Sequence, residues 1–163
     1  MKRFSAVMIY GLISLLLVGC AAGPIQPGDR VGKVLVDQAK DEEFKNLWDI
    51  DCQQQGDTDA WDCTAEVGTK VIITPGIYNP DPSRSLDEIW ADFTYELSFG
   101  DRQVDLPAFD TIEIVNPHVG AMRMYNVAIS SDEPTSITWK EKSQLTGEDP
   151  EESTTTLTFE AEQ

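Results

Sequence analysis

The sequence predicts an all-β protein: an immunoglobulin-like antiparallel β-sandwich with one short helix near residues 85–91, following an N-terminal signal helix. Three observations support this fold class. Apolar and polar residues alternate with a period of two along most of the chain from Val31 onward, which is typical of strands with one buried face. About nine such segments are separated by turn-forming residues, as in a sandwich. Only one segment carries the pattern of a helix start.

The first half of the domain contains four predicted strands. The β-branched segment 31–36 is the first. The alternation within 44–52 predicts a second strand that presents Cys52 on the core face. A helical spacing within 44–48 is the alternative, which we rank second because the alternation continues through Asp51. Two further strands are predicted at 63–67 and 69–74.

One helix is predicted in the second half. Ser85 and Glu88 have the spacing of a capping box, in which each side chain accepts a hydrogen bond from a backbone N–H of the first turn. Ile89 and Trp90 continue the pattern as an apolar face. Beyond the helix, the alternation predicts strands at 93–99, 104–106, 111–115, 121–130, 136–142 and 154–161.

The first twenty residues have the organisation of an export signal. Lys2 and Arg3 precede an apolar stretch, 6–18. The sequence Leu17-Val18-Gly19-Cys20 resembles the lipobox of bacterial lipoprotein precursors. This resemblance implies that the sulfur of Cys20 carries a diacylglycerol and that the bond before Cys20 is cleaved. A membrane-spanning anchor is the alternative, but the apolar stretch is shorter than the roughly 20 residues that a spanning helix needs.

We therefore divide the chain into a signal peptide over 1–19, a lipidated tether over 20–30 and a single β-sandwich domain over 31–163. Cleavage before Cys20 leaves 144 residues of the 163, which is enough for one domain. Two acyl chains on one sulfur suffice for stable attachment to a membrane. We expect the mature protein to be lipid-anchored on the extracytoplasmic face of the cell membrane or the outer membrane.

The chain is strongly acidic. It has 29 acidic and 12 basic residues and a net charge of −17, which becomes −19 when the leader with Lys2 and Arg3 is removed. Recognition of phosphate backbones needs a basic face, so we predict no nucleic-acid partner. We interpret the acidic excess as a solvated surface rather than as a binding patch.

Three cysteines are present, and lipidation uses Cys20. In an oxidising compartment the remaining pair, Cys52 and Cys63, predicts a disulfide that closes a ring of 12 residues. Two separate thiols or a metal pair are the alternatives. A metal pair is disfavoured because His118 is the single histidine, so the chain cannot supply four soft-metal ligands.

Asp57, Asp59 and Asp62 crowd the segment that this disulfide encloses. Carboxylate oxygens are the ligands that calcium prefers, so these three are candidate metal ligands. The segment that starts at Asp57 lacks the glycine at its sixth position and the glutamate at its twelfth that mark a calcium loop. A chain this acidic contains such clusters by chance, and we assign it no metal and no cofactor.

The sequence contains no G-x-S-x-G motif, no Walker loop and no zinc-protease signature. We interpret His118 as a loop residue between strands rather than as a general base. Trp48, Trp90 and Trp139 lie on segments with an apolar pattern and are expected in the core. Trp61 stands in a polar segment and is expected to face solvent.

Several segments of the mature sequence carry a resemblance to a known group. They are Trp48-Asp49-Ile50-Asp51-Cys52, the helix 86–90 leading into Tyr95-Glu96-Leu97, the Gly100 turn with Val104-Asp105-Leu106, and the closing strand 154–159. Together they resemble a loose set of uncharacterised bacterial surface β-sandwich proteins, which implies a shared fold and transfers no site. We predict a non-enzymatic binding, adhesion or envelope-assembly module that has a protein or glycan partner. The alternative is a carbohydrate- or cation-binding accessory domain at the cell envelope, and a hydrolase ranks third.

Overall fold

A computed structural model describes residues 23–39, 44–79, 83–116 and 120–161. Within these ranges the chain forms fourteen strands, one α-helix (α1, Leu86–Ala91) and two 3-10 helices (Leu47–Asp49 and Leu106–Phe109). The strands are β1 Asp29–Val31, β2 Val34–Asp37, β3 Lys45–Asn46, β4 Asp51–Gln54, β5 Ala60–Glu66, β6 Val71–Ile72, β7 Ile77–Tyr78, β8 Phe93–Phe99, β9 Arg102–Gln103, β10 Thr111–Asn116, β11 Gly120–Tyr125, β12 Ala128–Ser130, β13 Thr135–Leu145 and β14 Glu151–Glu160.

These strands form three sheets. Their orders are β1-β2-β12-β6-β3, β10-β11-β7 and β4-β5-β14-β13-β8-β9. The pairings of β5 with β14 and of β3 with β6 are parallel, and the other pairings between these strands are antiparallel. The predicted all-β class, with sheets packed as in a sandwich and one short helix, is confirmed.

The main core lies between the five-stranded and six-stranded sheets. Trp139 and Leu157 of the six-stranded sheet are completely buried and pack in one cluster with Val36 and Ile129 of the five-stranded sheet. Side chains of successive strand residues point to opposite faces, so each strand supplies every second residue to this cluster. The period-two pattern of the sequence therefore corresponds to the residues that these strands bury in the main core.

A second, smaller core covers the other face of the five-stranded sheet. Val71 and Ile72 are consecutive residues of β6, yet Val71 belongs to the main core and Ile72 packs with Met124 of β11. Ala128 joins the smaller cluster as well. Strands β6 and β12 of this sheet are thus buried on both faces, which explains why they are apolar at successive positions.

The folded body begins before the predicted boundary at Val31. Ile25 is completely buried. Its backbone N–H donates to the carbonyl of Gln103 at 2.8 Å, and its own carbonyl accepts from the N–H of Asp105 at 3.0 Å. Within the predicted tether over 20–30, Ile25 therefore belongs to the core, and Asp29 and Arg30 belong to β1.

The predicted first strand, 31–36, is a hairpin. Gly32 has a φ of 60°, a left-handed conformation that glycine adopts at little cost, and it forms the turn between β1 and β2. Lys33 in the same turn forms an ion pair with Glu133 at 2.9 Å. The chain therefore reverses in the middle of the predicted strand.

The predicted strand over 44–52 is interrupted by the 3-10 helix Leu47–Asp49. The carboxylate of Asp49 accepts hydrogen bonds from the backbone N–H of Asn46 at 3.0 Å and from its side-chain amide at 3.2 Å. These local bonds stabilise a turn at this position. The middle of the segment is therefore helical, which agrees better with the alternative interpretation than with a continuous strand. A strand, β4, begins at Asp51.

Two further predicted strands are also divided. The segment 121–130 breaks after Tyr125, where the side-chain carbonyl of Asn126 accepts from the N–H of Ala39 at 2.9 Å, and the chain passes from the three-stranded to the five-stranded sheet. The predicted strand 104–106 is reduced to a single parallel bridge between Val104 and Ile25, and the 3-10 helix Leu106–Phe109 begins at its last residue. Leu106 and Phe109 are buried, so this turn closes one side of the core.

The helix near 85–91 is confirmed. The hydroxyl of Ser85 accepts from the N–H of Glu88 at 3.2 Å, and the carboxylate of Glu88 accepts from the N–H of Ser85 at 2.6 Å. Trp90 packs its ring against Phe93 and Tyr125, which holds α1 against β8 and β11. No helix in the described part of the chain is long and apolar enough to cross a membrane.

Candidate functional site

The predicted disulfide between Cys52 and Cys63 is present. The two residues are direct partners in the antiparallel pairing of β4 and β5, with an S–S distance of 2.05 Å and a Cα–Cα distance of 4.0 Å. Strand β4 lies at the edge of the six-stranded sheet and pairs with β5 alone among the described strands. The disulfide therefore fixes an edge strand and the turn that connects it to β5.

The acidic candidates lie in or beside this turn. Asp57, Asp59 and Asp62 are exposed, and the side-chain amide of Gln55 donates to Asp62. Within the described ranges, no three carboxylate, thiol or imidazole side chains are arranged to hold a metal ion. The structure therefore does not bring the three aspartates together as ligands.

The tryptophans differ from the prediction in which of them are buried and which are exposed. Trp61 is 38% exposed, as expected, although it lies on β5 rather than in a loop. Trp48 was expected in the core and is 47% exposed, because the 3-10 turn carries it to the surface. Trp139 is completely buried. Cys20 and His118 lie outside the described residues.

The inward face of β13 changes from apolar to polar along its length. Ile137 and Trp139 are buried in the main core, whereas Glu141 and Ser143, the next two residues of the same face, are half-buried and polar. Beyond Trp139 a cavity of about 520 Å³ opens beside the sheet. Its lining includes Asp59, Trp61, Glu141, Ser143, Glu151 and Ser153. We call this space the Trp61 cavity.

Glu141 is held in place from both neighbouring strands. The hydroxyl of Tyr95 on β8 donates to one carboxylate oxygen of Glu141 at 2.5 Å, and the hydroxyl of Ser153 on β14 donates to the other at 2.5 Å. Burial raises the pKa of Tyr95 well above its ordinary value of 10.0, and the charge of Glu141 raises it further. Tyr95 therefore keeps its proton and remains a donor. Each oxygen of Glu141 keeps a second lone pair for another hydrogen bond.

The cavity is acidic. Asp59, Glu141, Glu151 and Glu152 line it, and its described lining contains no lysine or arginine. Glu152 is neutralised by an ion pair with Lys142 at 2.9 Å. The other three carboxylates form no ion pair within the described part of the chain. The cavity is therefore suited to ligands that carry positive charge or several hydrogen-bond donors.

Sequence reasoning identified Trp61 and Asp59 but missed Glu141, Tyr95 and Ser153. One signal was available: within the predicted strand 136–142, Glu141 falls in the same register as the apolar Ile137 and Trp139. A carboxylate on the inward face of a strand is costly unless it is hydrogen-bonded, which makes such a position a candidate for a built site. The sequence matches no protein-family model, and no curated protein sequence or solved structure is significantly similar to it.

Proposed function

We propose that the chain is a lipid-anchored extracytoplasmic protein that binds a protein or glycan partner and does not act as an enzyme. The observation that carries the anchoring is the lipobox sequence ending at Cys20, and the early start of the fold determines how close the body would lie to the membrane. Ile25 is already in the core, and Gly23 follows Cys20 by only three residues. Three residues span at most about 10 Å. Acyl chains on the sulfur of Cys20 would therefore hold the folded body directly at the surface of the cell membrane or the outer membrane.

The disulfide supports the exported location. Disulfides persist in oxidising compartments outside the cytoplasm, and Cys52 and Cys63 are bonded across β4 and β5. The lipobox sequence ending at Cys20 accounts for the third cysteine. Lipidation of Cys20 and the disulfide between Cys52 and Cys63 would then explain all three cysteines of an exported protein.

Metabolic labelling with a fatty-acid analogue tests the anchoring. Cells that produce the wild-type chain should incorporate the label into it, and Cys20→Ser should abolish the incorporation. The matched control is Cys52→Ala/Cys63→Ala, which removes the other two thiols and should be labelled like the wild type. An unlabelled wild-type protein, or equal labelling of Cys20→Ser, would contradict the anchoring.

Cross-linking on intact cells tests the binding role. The anchored protein, captured with its neighbours and analysed by mass spectrometry, should recover a protein or a glycan. Substitution of Trp61 by alanine should reduce that recovery, and substitution of Trp48, which is more exposed but lies outside the cavity, should not. Recovery of lipid alone would count against a binding or assembly module.

A second candidate function, a carbohydrate- or cation-binding accessory domain, is favoured by the Trp61 cavity. A half-exposed tryptophan beside carboxylates and hydroxyls is a common arrangement for a polar small ligand. Titration with millimolar calcium, followed by the melting temperature, separates the two ligand types. We expect no shift, because the described carboxylates are not grouped as metal ligands.

A further inference from the structure

We propose that the Trp61 cavity binds an amino sugar, a sugar unit that carries a protonated amine together with hydroxyl groups. The proposal rests on the binding role proposed above and names its ligand class. The size of the cavity, its aromatic wall and the arrangement of its charges and hydroxyl groups support this ligand class.

The dimensions fit one or two sugar units. The cavity volume of about 520 Å³ lies within the range of small-molecule sites, roughly 300–1,000 Å³. Trp61 forms part of its wall and is 38% exposed, although large aromatic side chains are usually covered in a domain of this size. An indole face can stack on the C–H face of a sugar ring and attracts an ammonium group through its quadrupole.

The arrangement of charge selects an organic cation over a metal ion. Asp59, Glu141 and Glu151 reach the cavity from three different strands or turns and form no ion pair in the described structure. They are nevertheless not close enough together to form a metal-binding group. Carboxylates spread around a cavity match a ligand that distributes positive charge and hydrogen-bond donors over several ångströms.

The hydroxyl groups of the cavity favour a sugar over a simple polyamine. Ser143 and Ser153 line the cavity beside Glu141. Ser153 uses its proton on Glu141, so its oxygen is oriented to accept from a ligand hydroxyl. Glu141 is fixed by Tyr95 and Ser153 before any ligand arrives, which lowers the entropic cost of binding.

Titration of the purified full-length chain tests the ligand class. The probe is a tetramer of β-1,4-linked glucosamine at about pH 6, where its amines are protonated, and the readout is calorimetry. The controls are the N-acetylated tetramer, which keeps the sugar backbone and hydroxyls but carries a neutral, larger acetamide in place of each ammonium group, and spermidine, which has charge without sugar hydroxyls. We expect binding of the glucosamine tetramer at least tenfold tighter than that of either control.

Variants locate the site. We expect Trp61→Ala to weaken binding at least fivefold and Trp61→Phe to recover most of that loss. Asp59→Asn/Glu151→Gln should weaken binding of the glucosamine tetramer by a similar factor. The matched controls are Trp48→Ala, an exposed tryptophan outside the cavity, and Asp57→Asn in the same turn, which should bind like the wild type.

Melting temperatures show that each variant is folded before its affinity is compared. Absence of binding at millimolar glucosamine tetramer would overturn the proposal. Equal affinity for the N-acetylated tetramer would overturn the role of charge, and equal affinity for spermidine would overturn the sugar. None of these results affects the fatty-acid labelling at Cys20, which tests the anchoring separately. A failure of the ligand class can therefore be distinguished from a failure of the anchoring.

Discussion

Loss of the disulfide should destabilise the protein by about 3 kcal/mol. Cys52 and Cys63 are 11 positions apart, and closing a ring of this size removes chain entropy from the unfolded state worth about 3 kcal/mol at 25 °C. Without the disulfide, β4 would be held in the sheet by its pairing with β5 alone, since it pairs with no other described strand. For a domain of this length, the loss corresponds to a fall in Tm of about 10 °C.

Thermal unfolding of Cys52→Ala/Cys63→Ala, followed by circular dichroism with and without reductant, measures this effect. Alanine is preferred to serine because Cys63 is buried and a hydroxyl there would lack a partner. Reductant should lower the Tm of the wild type to near that of the variant and leave the variant unchanged. An unchanged Tm in the variant, or an equal fall of both proteins in reductant, would refute this reasoning.

Three further substitutions test the core, the cavity and the helix cap. Ile25→Ala should reduce the free energy of unfolding by about 2–4 kcal/mol in urea titrations, because Ile25 is completely buried; a loss below about 0.5 kcal/mol would show that it behaves as a tether. Tyr95→Phe removes a donor to the half-buried Glu141 and should cost about 1–2 kcal/mol in the same assay, whereas an unchanged midpoint would contradict the hydrogen bond. The pKa of Glu88 is lowered below 4.5, mainly by the hydrogen bond from the backbone N–H of Ser85 and secondly by the bond from its hydroxyl. These bonds therefore stabilise the fold above pH 4.5, and their contribution is lost as the pH falls through the pKa that Glu88 has in the folded protein. Ser85→Ala should therefore raise the pKa of Glu88 partway towards its ordinary value in an NMR titration, and an unmoved pKa would count against the capping box.

The alternation of the sequence predicted strands best where one face is buried and the other is solvated. The segment 93–99 is an example, since Tyr95, Leu97 and Phe99 are buried between more exposed neighbours. Prediction was less successful where the chain changes sheets. In the predicted strand 121–130 the apolar positions shift from Met122 and Met124 to Val127 and Ile129. The break lies at Asn126, whose side chain bonds to Ala39, 87 residues earlier in the chain.

The candidate site was only partly predictable for the same reason. The exposure of Trp61 follows from its polar neighbours in the sequence. The position of Glu141 depends on Tyr95 and Ser153, which lie on two other strands and are brought to it by the sheet register. A single strand pattern does not specify which strands become neighbours, so the cavity became visible only in the folded structure.

Mass spectrometry of the N-terminal peptide of the purified protein tests the central claim most directly. We predict a peptide that begins at Cys20 and carries the additional mass of a diacylglycerol on its sulfur, with residues 1–19 absent. An unmodified peptide that begins at Met1 in a cytosolic fraction would contradict the anchored, extracytoplasmic role on which the proposed function depends.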